Sequence, residues 1–184
     1  MARLLNMFGV VAALLVVAPQ SQAAFITTFT GGDLGEGLNF HGGAGYLYAT
    51  ALNTDGSFTV QGLTFAPRSN TTVSSPATPS PFNASSFGAS ANDVALRGLL
   101  SHPLNDDGMV LTLHGLTAGR SYEVQLLASE VNPNNRNARR RDFDIDFGDD
   151  GSDEVSNFNV YANGGNSRTV GSSITQGFTA TAPT

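Results

Sequence analysis

Residues 109–129 read MVLTLHGLTAGRSYEVQLLAS. Met109, Leu111 and Leu113 fall on one side of an extended chain, and Tyr122, Val124 and Leu126 fall on one side of a second. Such period-two alternation gives each strand one buried face and one wet face. Between them, residues 114–121 carry two glycines and close a turn. The pattern predicts an antiparallel hairpin.

The same alternation continues on either side. Residues 25–30 (FITTFT) form a short first strand, and residues 46–52 (YLYATAL) and 58–65 (FTVQGLTF) are two more, joined by Asn-Thr-Asp-Gly at 53–56. Asp-Gly is a strong hairpin signal. Tyr46 and Tyr48 then share a face, and Gly62 marks a bulge or a close backbone approach. Residues 94–100 are a strand or a short helix ending before His102-Pro103. Residues 141–147, 157–161 and 173–181 complete a count of eight to ten strands without a convincing amphipathic helix. Two packed antiparallel sheets satisfy that count, so the expected fold is an all-β antiparallel β-sandwich.

The ends and composition limit what the chain can do. Residues 1–23 carry Arg3, an apolar run at 8–17 and small residues at 21–23, the layout of a secretory signal peptide. That run is shorter than the roughly 20 apolar residues a membrane helix needs. Residues 24–184 are then one exported domain, with no membrane span and a size that suits one core. The mature chain has 8 arginines, no lysine and 15 acids, so its formal charge is 8 − 15 = −7. This balance argues against nucleic acid and anionic membranes as partners. With no cysteine, stability rests on burial and backbone pairing. Residues 67–92 are rich in Ser, Thr and Pro, and a loop of that length is functional, disordered or spacer-like.

Within the opening stretch, Leu113-x-x-Leu116-x-x-Gly119-x-x-Tyr122-x-Val124 resembles the signature of a tyrosine corner in β-sandwich domains. That resemblance implies a buried Tyr122 ring whose hydroxyl bonds to backbone a few residues upstream. Ser129-Glu130, a polar turn and Arg141-x-Phe143-Asp144-Ile145 follow. Their order resembles the malectin-like branch of the galactose-binding-like jelly rolls. The segments LNFHGGAGYLYATALN and FTVQGLTF are similar to a domain common in secreted proteins of planctomycetes and related bacteria. The resemblance implies a jelly roll with a carbohydrate-binding role, and no binding residue is carried over from it.

Residues 136–154, RNARRRDFDIDFGDDGSDE, concentrate the charge. Asp142, Asp144 and Asp146 alternate with Phe143, Ile145 and Phe147, which predicts a strand with an aromatic face inward and a carboxylate face outward. Outward carboxylates about 6.5–7 Å apart are too far to share an ion unaided. The acids that follow offer hard oxygen donors on a glycine-bearing loop, which suits Ca²⁺ with Asp146, Asp149, Asp150 and Asp153 as ligands. The alternative is a solvated face with arginine partners. The EF-hand pattern fails, because its third position is Gly148 and its twelfth is Asn157.

Catalytic signatures are sparse. His41, His102 and His114 lie far apart, and neither a Gly-x-Ser-x-Gly elbow nor a phosphate loop occurs. Glu123, Glu130 and Asp144 are carboxylates of the type glycosidases use, but their spacing gives no support for such a role. The expected function is therefore a secreted, non-catalytic module contacting carbohydrate or cell-envelope glycan. Tyr46, Tyr48, Phe82 and Phe87 are its candidate stacking platforms. A structural or adhesive surface protein of the same fold is the alternative, and a glycan-active hydrolase a further one.

Overall fold

Tyr122, the pivot of the opening stretch, is buried, and its hydroxyl accepts the Thr117 N–H at 2.8 Å. The expected corner is present, and it changes how the flanking strands are read. In the computed structural model, which describes residues 2–4, 10–15, 24–30, 38, 40, 45–52, 56–67, 71–73, 90–100, 109–129, 143–147, 151–163 and 170–181, the two strands never pair with each other. They belong to different sheets. The predicted hairpin is instead a crossing between layers, with Gly115 and Gly119 at positive φ in the turn (75° and 78°). Alternation alone is the same for both arrangements.

The chain runs through β1 (Ala2–Leu4), β2 (Val10–Leu15), β3 (Phe25–Thr30), β4 (Tyr46–Ala51), β5 (Phe58–Val60), β6 (Leu63–Pro67) and β7 (Thr71–Val73). Helix α1 (Ala91–Leu100) follows, then β8 (Met109–Leu113), β9 (Ser121–Ala128), β10 (Phe143–Asp146), β11 (Val155–Phe158), helix α2 (Val160–Asn163) and β12 (Val170–Thr179). One sheet has the order β11-β10-β1-β8-β7 and the other β3-β12-β9-β2-β4-β6-β5. Every pairing is antiparallel except β4 with β6. The expected all-β class holds.

Two core layers lie on opposite faces of the seven-stranded sheet. Tyr122, Val124, Leu126 and Ile174 pack against Leu111, Ile145, Val155 and Phe158 of the five-stranded sheet. Phe29, Ala49, Ala51 and Leu127 point the other way, against Phe40, Val60, Phe65 and Leu96, Leu99 and Leu100 of α1. Fully burying each such Leu or Phe contributes about 1.5–3 kcal/mol.

The second layer contains the helix that the sequence pattern leaves open. Ser90 caps α1 through a reciprocal pair: Ser90 Oγ accepts the Asp93 N–H at 3.0 Å, and Asp93 Oδ2 accepts the Ser90 N–H at 3.1 Å. A Ser-x-x-acid box of this kind starts a helix, and here it lies at the end of the predicted 67–92 loop. That stretch also holds β7, which pairs with β8.

The expected hairpin across 53–56 is also different. β5 pairs with β6, not β4, and the turn is Gln61-Gly62, both at positive φ (49° and 81°). Two successive left-handed residues make the turn that matches strand twist. Gly62 is therefore a turn residue and not a bulge. The predicted strand at 157–161 ends at Phe158, where Asn159 Oδ1 accepts the Ala162 N–H (2.9 Å) and starts α2.

The apolar run at 10–15 has a place in the sheets. β2 pairs with β9 on one side and β4 on the other, and β1 lies between β8 and β10.

Candidate ligand site

The acidic segment is organised by its own backbone. Asp144 Oδ1 accepts the Asn157 N–H (2.6 Å), Asp146 Oδ2 the Gly151 N–H (2.8 Å), and Glu154 Oε2 the Phe147 N–H (2.8 Å). Carboxylate-to-amide bonds are among the stronger hydrogen bonds in proteins. They pin the β10–β11 connection, assisted by Glu154 N–H to Ile145 O at 3.0 Å. Asp146 is 3% exposed, so the expected outward carboxylate face does not extend to it. Its charge is turned in to hold the loop.

Of the residues expected to ligate calcium, Asp146 holds this turn and Asp153 is exposed. Asp149 and Asp150 lie outside the described residues. Among the described residues, no group of three or more His, Cys, Asp or Glu side chains gathers into a metal-binding cluster.

Beside this connection a cleft of about 420 Å³ opens between β3, β11 and α2. Ala24, Ile26 and Phe158 supply its apolar surface, and Glu154, Ser156, Asn157, Asn159 and Asn163 its polar one. Asn157 has φ 52°, a left-handed conformation that asparagine tolerates better than most residues, and its N–H is tied to Asp144. Asn159 caps α2, and Asn163 Nδ2 donates to Ser172 Oγ at 3.0 Å. Three asparagines are thus held by backbone or side-chain bonds around one opening. No Lys, Arg or His lines the cleft among the described residues. With Glu154 in the lining and no cation beside it among the described residues, the cleft disfavours a phosphate or carboxylate. The spacing of Asn157, Asn159 and Asn163 in NFNVYAN was the available sequence signal; alternation read that stretch as strand.

The expected stacking aromatics are dispersed. A register shift in the β2–β4 pairing, where Leu14 faces Tyr48 and Leu15 faces Tyr46, places a bulge at Leu47. One extra residue reverses the alternation, so Tyr46 and Tyr48 do not share a face. Tyr46 joins the helix-side layer, edge-on to Phe40 at 5.9 Å, and its hydroxyl donates to Gln125 Oε1 at 3.3 Å. Tyr48 packs into the layer between the sheets, its hydroxyl oxygen enclosed and, among the described residues, without a full hydrogen bond. Burial pushes its phenol up to about 12, against a smaller pull from the adjacent His114 backbone. Phe82 and Phe87 lie outside the described residues.

No helix among the described residues is long and apolar enough to cross a membrane. No protein-family model, curated protein or solved structure matches the chain.

Proposed function

We propose that this chain is exported and acts as a non-catalytic binding module, a galactose-binding-like, malectin-like jelly roll that contacts carbohydrate or cell-envelope glycan. The observation that carries this reading is the cleft: an open depression of about 420 Å³, with apolar surface beside asparagine amides and, among the described residues, no cation. A sugar presents hydroxyls to such amides and its C–H face to Phe158 and Ile26. The secretory leader and the acidic, cysteine-free composition support a place outside the cell.

A glycan array followed by calorimetric titration tests this reading. A neutral oligosaccharide should bind, and Asn157→Gly, which keeps the left-handed backbone and removes the amide, should weaken it about tenfold at an unchanged melting temperature. No glycan binding by the intact chain would overturn it.

The acidic turn is proposed to take Ca²⁺ as well, with Asp149, Asp150 and Asp153 joining Asp146. Millimolar Ca²⁺ should then raise the melting temperature, and Asp149→Asn with Asp150→Asn should remove the rise. A calcium-independent melt would leave Asp149, Asp150 and Asp153 as solvated charge and Asp146 as a support of the turn.

A further inference from the structure

Among the described residues, the face of the seven-stranded sheet that carries α1 is covered only in part. Beyond the patch under the helix, strand register sets Gly177, Glu123, Leu15 and Tyr46 in one row across β12, β9, β2 and β4. The next row includes Phe25, Thr175 and Gln125. Gln125 is fixed on both sides, accepting from Tyr46 Oη at 3.3 Å and donating through Nε2 to Ser173 Oγ at 2.8 Å. Among the described residues, one of its N–H bonds and one oxygen lone pair remain to be used. Phe25, at 66% exposure, borders the strip.

Glu123 is the unusual member. Its side chain is half-buried, yet among the described residues its carboxyl has neither a hydrogen bond nor an ion pair, and burial raises its pKa above the ordinary carboxylate range. Across the β9–β12 pair stands Gly177, which has no side chain to cover it. On the other side Tyr46 is close enough to feel its charge. A partly desolvated carboxylate without a partner is unfavourable, and a cation placed beside it removes most of that cost.

We propose that, in the chain that keeps residues 10–15, this strip is a second binding site, for a ligand bearing a free amine on a hydroxyl-rich frame, with Glu123 as counter-charge, Gln125 bonding a hydroxyl and the Tyr46 ring as packing surface. An ammonium group is attracted both to a carboxylate and to an aromatic face. The net charge of −6 favours the approach of such a ligand. Neither the chemistry nor the location is that of the asparagine cleft, which is proposed for neutral sugars.

The test is calorimetric titration of the intact chain with a short chito-oligosaccharide carrying free amines and with its fully N-acetylated counterpart. The amine form should bind at least about tenfold more tightly. That preference should shrink at high salt, as screening weakens the pair. Glu123→Gln should abolish the preference while keeping the melting temperature or raising it, and Asn157→Gly should leave it intact. Equal affinity for the two sugars, or no binding of the amine form, would overturn the proposal. So would a preference that survives Glu123→Gln or is lost with Asn157→Gly, and the last result would still leave the cleft reading standing.

Discussion

Two tyrosines, Tyr122 buried and Tyr48 half-buried, show how one hydroxyl can stabilise or cost, according to whether it has a partner. Tyr122 accepts the Thr117 N–H, and that bond draws its phenol below the ordinary range; Tyr48 has no full hydrogen bond among the described residues, only the smaller pull of the His114 backbone, and burial draws its phenol up to about 12. Tyr122→Phe should therefore destabilise by about 1 kcal/mol, whereas Tyr48→Phe at neutral pH should be neutral or slightly stabilising, both read from urea midpoints. Because its folded pKa lies above the unfolded value of about 10, Tyr48 gives stability fully present below pH 10 and lost as pH rises toward 12. The Tyr48→Phe chain should accordingly lose less stability than the native one across that window; parallel curves would contradict the assignment. Of the two residues, Tyr122 was legible in the sequence, since its motif is local and its partner lies five residues upstream. The placement of Tyr48 was not, because a one-residue bulge at Leu47 decides its face and leaves no mark in the alternation.

At the scale of elements, close approach explains a small residue that propensity would not choose. Gly171 in β12 faces Phe29 across the β3 pairing, and a Cβ there would collide with the ring. Phe29 is 1% exposed and cannot swing into solvent. Gly171→Ala should cost about 1–3 kcal/mol by overpacking, and adding Phe29→Leu should make the pair less destabilising than the sum of the singles. Additive effects in a double-mutant cycle would show that the ring is not what excludes the methyl. Strand positions were legible wherever alternation was unbroken, as in β3 and β9. Partners were not: a corner and a hairpin share one pattern, and only long-range pairing separates β8 from β9. The capping box at Ser90 was a readable signal that a polar, proline-rich neighbourhood concealed.

For the whole molecule, composition predicted the class and missed a layer. Residues 94–100 read equally well as a strand or a short helix, and the structure gives that segment a sheet face to cover as part of α1. The asparagine cleft was illegible for a related reason, since three separate local bonds assemble it from β11 and α2. The proposed export makes a prediction at this scale as well. Protein collected outside expressing cells should begin at Ala24 or Phe25 by intact mass; a chain still starting at Met1 would contradict the leader.

The place of β2 gives that prediction a consequence in time. β2 needs β9 as a neighbour, and β9 is made about a hundred residues later, roughly 5–20 s at ordinary rates of translation. Throughout that interval the run 10–15 has no neighbouring strand to join except β4, while under the proposed leader reading an export receptor would already bind it. Two fates therefore compete for the same six residues, and the order of synthesis favours the earlier one. A slower elongation rate should shift the balance further toward export, and a chain refolded at full length from denaturant should reach the alternative in which β2 closes the sheet.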